Sequence, residues 1–376
     1  MRSGISIYLT LLFCCILVIG CNKINESKSE NSSDLIVKSE ELNFTDPSFL
    51  SSFNRPKLRE YVNPNGETVL YFFDNMLKSI ILIDDDKKQA YKKIKLYKEG
   101  PNGIPMAMDA YLISDNEIAV VEGLKIYIVD YEGTVLRKME SELPDEFENI
   151  FFSFKGANNP LGTDLENLHI VNVPKDQSNI SFMSSSALLS MLELESLELS
   201  ITDVMLPEKY AFKDAYYDLT NLPYVTPYNN KLYLSFRVDK NLFEYDLTSK
   251  LLKEVELESI YADPMAKPSL KENYDNTETR YKDLYYTQTF LYPIFTEEYI
   301  YRPHSRAKNP DINPSHDMYL SVYDYDFNLV KEVELEGFGL LSFPFKYKES
   351  IAFLDANMST EGVLTVYTFR LTEAKE

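Results

Sequence analysis

The chain has 376 residues, with 38 Lys and Arg against 59 Asp and Glu, and a formal net charge of −21. So acidic a surface argues against nucleic acid as a partner and against polybasic docking on anionic lipid. With 28 Tyr, 22 Phe, 12 Gly and no Trp, the composition suits pleated sheet, where aromatic and β-branched side chains fit well; a sugar-stacking surface is the other use of so many tyrosines.

Residues 1–21 read MRSGISIYLTLLFCCILVIGC. Arg2 supplies a positive n-region and Ile5 to Ile19 an apolar h-region, the layout of a secretory signal. The stretch Val18-Ile19-Gly20-Cys21 resembles a lipobox, with small Gly20 at the cleavage pocket and the Cys21 thiol ready to receive diacylglycerol. A transmembrane anchor is the alternative, but the apolar run is shorter than the roughly 20 residues a spanning helix needs. The expectation is a signal peptide over 1–20, cleavage before Cys21, and attachment to the membrane through lipid on that residue. Cleavage removes Cys14 and Cys15, which leaves no disulfide, thiolate metal site or cysteine nucleophile. Asn22 is not the Asp that resembles an inner-membrane retention signal, so the outer membrane is the expected location. Residues 22–34, NKINESKSENSSD, are polar and aperiodic and read as a flexible tether. Residues 35–376 then form the folded domain.

A repeat organises that domain. Lys253 to Glu258 and Lys331 to Glu336 both read KEVELE, and each follows a strand that ends near an aspartate, Asp246 and Asp324. The same strand–Asp–turn–strand pattern occurs at Asp84 and at Asp130, where Tyr131-Glu132-Gly133 makes the turn. A weaker copy lies near Leu192-Glu193-Leu194, and Leu364 to Phe369 gives a last one. The alternation has period two, which is strand, and an aspartate closing a strand favours a local side-chain-to-backbone turn. Asp84 and Asp130 stand 46 positions apart, and repeats of about 40–50 residues holding four strands each are the signature of propeller blades. The fold class expected is all-β, a six-bladed β-propeller of four-stranded antiparallel blades. Its units cover 60–97, 104–140, 165–206, 216–258, 285–336 and 338–371, and residues 35–45 add a strand that closes the ring. A β-sandwich pair or another all-β array is the alternative, and Ser184 to Leu199 reads as strands although its composition also suits a helix.

Sequence offers little chemistry. Gly100 to Gly103 contains Pro101 and lacks the Lys-Ser/Thr of a phosphate loop, so it reads as a turn between blades. His169, His304 and His316 are too scattered for a catalytic zinc site. Asp84-Asp85-Asp86 lacks the spaced ligands of a calcium loop and reads as a hairpin turn. With 59 acidic residues no glycosidase dyad can be singled out, and a serine nucleophile motif is absent. No catalytic residue, metal or cofactor is therefore nominated.

One region departs from the repeat. Aligning Leu232–Arg237 with Tyr299–Arg302 makes Arg237 and Arg302 the ends of equivalent second strands, and about 13 extra residues then fall within Pro303 to Asp317 of the fifth unit. A second long stretch, Ser259 to Asp283, opens on the same face. Insertions gathered on one rim of a scaffold are where binding usually resides. The candidate ligand-binding residues are Arg237, Arg302, His304, Arg306 and His316, a local positive cluster suited to carboxylate, phosphate or sulfate. A solvated decoration, with Asp311 and Asp317 neutralising the cations, is the plainer reading.

The lipobox, the repeats and the segment Glu99-Gly100-Pro101-Asn102-Gly103-Ile104 resemble Bacteroidetes lipoproteins of the domain of unknown function 4221 type, which are similar to six-bladed β-propeller lipoproteins. The resemblance implies fold and envelope location and brings no catalytic residues. Two functional classes follow: a lipid-anchored binding or interaction protein with a glycan, peptide or protein partner, or a propeller hydrolase or lyase acting on a glycan or peptide. An enzyme would show a deep axial pocket lined by titratable groups, a binding module a broad rim.

Overall fold

The computed structural model describes residues 35–45, 57–123, 125–139, 150–153, 166–174, 187–210, 215–216, 222–262, 269–270, 288–307, 316–335, 344–355 and 362–373. The signal peptide, Cys21, the tether and Asp311 lie outside these residues. In chain order, β1 (Leu35–Thr45) precedes blade 1, made of β2 (Arg59–Val62), β3 (Thr68–Asp74), β4 (Ser79–Asp84) and β5 (Gln89–Lys95). Blade 2 holds β6 (Asp109–Leu112), β7 (Glu117–Glu122), β8 (Lys125–Asp130) and β9 (Val135–Lys138). Blade 3 holds β10 (Ile150–Ser153), β11 (Asn167–Pro174), β12 (Leu189–Glu193) and β13 (Leu199–Ile201). A 3-10 turn at Glu208–Tyr210 and the short β14 (Ala215–Tyr216) lead into blade 4, with β15 (Tyr224–Tyr228), β16 (Lys231–Ser235), β17 (Leu242–Asp246) and β18 (Leu252–Val255). β19 (Ser269–Leu270) pairs with β14. Blade 5 has β20 (Thr289–Phe290), β21 (Ile294–Phe295), β22 (Ile300–Ala307), β23 (His316–Tyr323) and β24 (Leu329–Glu334), and blade 6 has β25 (Pro344–Tyr347), β26 (Ser350–Leu354) and β27 (Val363–Glu373).

Every blade is an antiparallel sheet with four strand positions in sequence order; in blade 5 the first position is divided between β20 and β21, which both pair with β22, and the sixth takes its outer strand from the other end of the chain, in the order β1-β27-β26-β25. Eleven residue pairs from Leu35↔Glu373 to Thr45↔Val363 make that closure. The fold is the six-bladed β-propeller expected, with both KEVELE copies in fourth strands, β18 and β24. Leu189–Glu193 and Leu199–Ile201 are strands rather than helix. One unit boundary needs correction: blade 3 begins at β10, about fifteen positions before the expected 165, because its three apolar residues form no alternating run. Among the described residues no helix is long and apolar enough to cross a membrane.

Local chemistry sets the pattern. Inner blade strands lie between two neighbouring blades, so β7 and β8 are buried over four successive residues each, whereas outer β5 and β9 alternate. The strand-ending aspartates make equivalent turns: Oδ1 of Asp84, Asp130, Asp246 and Asp324 each accepts two backbone N–H bonds of 2.8–3.1 Å from residues two to four positions on. A left-handed residue completes each turn, and at Gly133 (φ +82°) an added Cβ would meet the Lys95 carbonyl oxygen at 2.3 Å. Six apolar clusters fill the six blade junctions. Among the described residues the junction of blades 1 and 2 holds fifteen buried apolar residues and that of blades 4 and 5 six.

Candidate functional site

The weak apolar junction is where polar residues are buried. Eleven of the eighteen buried polar or charged side chains among the described residues belong to blades 4 and 5, including Ser235, Arg302, His304, Ser321 and Glu332. Burying a polar group costs free energy unless it is bonded, so the partners of each decide what the junction can do.

The ladder corrects the alignment of the two arginines. Leu234 pairs with Phe243, and Phe243 with Glu254 in blade 4; Arg302 pairs with Ser321, and Ser321 with Glu332 in blade 5. Arg302 therefore stands at the place of Leu234, inside β22 rather than at its end. Arg237 lies two residues beyond β16 and is half-buried. Second strands match at an offset of 68 and third strands at 78, so ten residues are inserted rather than thirteen. They lengthen the hairpin, since β22 and β23 stay paired out to Ala307↔His316.

Arg302 is 1% exposed. Its Nη2 donates to Ser235 Oγ at 3.0 Å and to the Asp239 carbonyl at 2.9 Å, and Nε to the Leu291 carbonyl at 3.4 Å. The guanidinium lies 4.7 Å over the Phe290 ring, and Phe290 is held by its N–H to the Arg237 carbonyl at 2.9 Å. Blade 4 thus grips blade 5 through the backbone of one sequence-nominated arginine and the side chain of the other. Among the described residues Nη1 of Arg302 has no hydrogen-bond partner, and no carboxylate salt-bridges the guanidinium. Burial pulls this arginine down to about 10, against opposing pulls from Tyr323, Asp239 and Tyr210, so it stays charged at neutral pH.

His304 is fully buried between Phe290 and Tyr319, with ring centroids at 5.2 and 5.1 Å. Among the described residues neither ring nitrogen has a hydrogen-bond partner. Burial above all, with Arg302 and Arg306 nearby, pulls the imidazole down to about 3. It is neutral at pH 7, which corrects the expectation of a wholly cationic cluster: one nitrogen carries a hydrogen to donate and the other accepts. Arg306 is exposed, pairs across the ladder with Asp317, and donates through Nη1 to the Tyr261 carbonyl at 3.0 Å. His316 is half-buried at the start of β23.

Glu332 is the residue that sequence reading missed. Although it lies on the outer strand of its blade, it is 1% exposed. Its Oε1 accepts from Ser321 Oγ at 2.6 Å and Ser259 Oγ at 2.8 Å, and its Oε2 from the backbone N–H of Ile260 at 2.5 Å and Tyr261 at 3.2 Å. The segment Ser259–Ala262 leaving blade 4 is thereby strapped across blade 5, and Tyr261 stacks on Tyr319 at 4.7 Å. The only sequence signal was the hydroxyl at Ser321 where blade 4 has Phe243.

The family model for the domain of unknown function DUF4221 matches residues 29–334. A crystal structure of a DUF4221 member from Bacteroides vulgatus is 17% identical, with a TM-score of 0.68 over 91% of this chain and 99% of that one. A protein of Bacteroides fragilis described as exported is 10% identical, with a TM-score of 0.50 over 92% of this chain and 98% of that one. No curated protein matches the chain. The likenesses carry the fold alone, whereas the model match spans most of the sequence: this chain belongs to the DUF4221 family.

Proposed function

We propose that this propeller is a lipid-anchored protein of the cell envelope, in the outer membrane, that binds an acidic glycan, peptide or protein partner at the junction of blades 4 and 5. The observation that carries the binding reading is the buried guanidinium of Arg302, whose Nη1 is unbonded. A buried cation without a carboxylate is costly, and an anionic ligand supplies what the fold omits. The signal-like segment and Cys21 support the anchor. Topology suits the two together. Leu35 pairs with Glu373 at the blade end that carries the first-to-second-strand turns, whereas the β22–β23 hairpin opens at the opposite end. Residues 21–34, at about 3.3–3.6 Å each, reach at most ~50 Å, and they would join the domain on the face opposite that hairpin, leaving the ligand face clear of the attachment point.

Labelled palmitate should enter the wild-type chain and not Cys21→Ala; label in that variant removes the anchor from the reading. Thermal-shift and calorimetric screens of acidic glycans, acidic peptides and phosphorylated compounds should yield a ligand that Arg302→Ala binds at least tenfold more weakly, since each charge-assisted bond is worth about 1.5–3 kcal/mol. Ligands held equally by both proteins would leave the junction purely structural.

A further inference from the structure

The unbonded atoms at this junction specify a ligand more narrowly than charge alone. Among the described residues no carboxylate pairs with Arg302, and the neighbouring imidazole is neutral, so Arg302 and His304 together carry a single positive charge. Glu332 Oε1 lies 3.9 Å from His304 Nε2 but already accepts two hydroxyl bonds, and Oε2 two backbone bonds. Its negative charge disfavours a second and third anionic oxygen beside it. Phosphate, carrying roughly two charges at neutral pH, is therefore mismatched, and one carboxylate balances one guanidinium. Neutral His304 adds one donor and one acceptor, which asks for a hydrogen-bond donor next to the acid. The walls, Phe290 and Tyr319, are aromatic faces.

Resting on the acidic-ligand reading above, we propose that Arg302 Nη1 and His304 form a subsite for a single carboxylate with an adjacent hydroxyl or amide N–H, roofed by the Ser259–Ala262 strap. A uronic acid and the C-terminus of a peptide share that chemistry. The strap rests on Tyr319 through Tyr261 and is latched by Glu332 and by Arg306, so a ligand gains the subsite when the latch lifts.

The test uses the full chain in detergent with histidine labelled in both ring nitrogens. Only His169, His304 and His316 contribute signals, and a His304→Gln variant assigns the relevant pair. Sodium galacturonate, N-acetylalanine, inorganic phosphate and sodium chloride are titrated in turn. Saturable shifts of the His304 nitrogens with galacturonate or with N-acetylalanine are expected, and whichever acts identifies the source as glycan or peptide. Arg302→Met should bind at least tenfold more weakly, Arg302→Lys should fall between, and Glu332→Gln should bind faster. Saturation by phosphate with no response to either carboxylate overturns this inference and leaves the acidic-ligand reading standing. Shifts with sodium chloride alike, no shift with any probe, or equal binding by Arg302→Met in a folded protein, overturn both.

Discussion

Two arginines are buried to the same extent at two blade junctions, and their surroundings are opposite. Arg59 opens β2, and its Nη1 and Nη2 donate to the two carboxylate oxygens of Asp109 in blade 2 at 2.8 and 2.7 Å, while Tyr111 lies 4.4 Å beneath the guanidinium. Burial, the largest single influence, would lower that arginine, but Asp109 together with Tyr111 and Tyr71 raises it; burial would likewise raise Asp109, and Arg59, Lys57 and the Ala110 N–H together hold the carboxyl low. Arg302 has comparable burial and an aromatic face, but carbonyls and a hydroxyl in place of the carboxylate, and it moves down to about 10. A closed ion pair in a junction of fifteen apolar residues is a staple. An open cation in a junction of six is a vacancy for charge.

The largest expected effect falls on the staple. Arg59→Met leaves the largely buried Asp109 carboxylate with only the more distant Lys57 ammonium at 3.7 Å as a counter-charge and should cost about 3 kcal/mol, measured by urea unfolding. A cost under about 1 kcal/mol would erase the distinction between the two junctions.

Next comes pH. His304 in the fold sits near 3, against an ordinary value of about 6.5. The unfolded chain then binds a proton that the folded chain refuses. This contribution to stability is complete above pH 6.5 and is lost as pH falls toward 3, with a slope of at most about 1.4 kcal/mol per pH unit. His304→Asn should flatten the stability profile between pH 3 and 6.5, while the further loss at lower pH, where Asp109 held low by Arg59 takes up its proton, stays as it was. A variant with unchanged slope would mean that the imidazole is already solvated.

Arg302→Met should be milder than its counterpart in blade 1. It loses three hydrogen bonds but also removes an uncompensated charge, so the net change should stay within about 2 kcal/mol. A loss equal to that of Arg59→Met would show the guanidinium to be structural. The smallest effect belongs to the strap. Tyr261→Ala removes one stacked pair, worth about 0.5–1.5 kcal/mol, and should raise hydrogen exchange at Ile260 and Ala262 without altering the other blades.

Much of the architecture was legible because a propeller repeats its local rules. Asp84, Asp130, Asp246 and Asp324 advertise the same turn each time, since a carboxylate two positions before a free N–H bonds it wherever the chain lies. The closing strand was legible too, because Leu35 to Thr45 reads as a strand with no neighbour in its own half of the chain. The site was only partly legible. Arg302, His304 and Arg306 alternate along one strand and were singled out, but aligning the arginines by their ends misplaced the register by three residues. Only hydrogen-bonded pairing sets which residue of β22 stands opposite which of β23.

The two KEVELE copies separate what each level decides. Sequence by itself determined that both are outer strands in the same blade position, because alternation and the preceding Asp-turn are local properties. Tertiary structure alone decided their environments. Glu254 has a side chain 36% exposed and pairs with Lys209 at 2.5 Å, whereas its equivalent Glu332 is buried beneath Ser259, Ile260 and Tyr261. Six identical residues carry no record of the segment that crosses over one copy and not the other. That segment comes from the blade before, and burial is a property of what packs on a strand rather than of the strand.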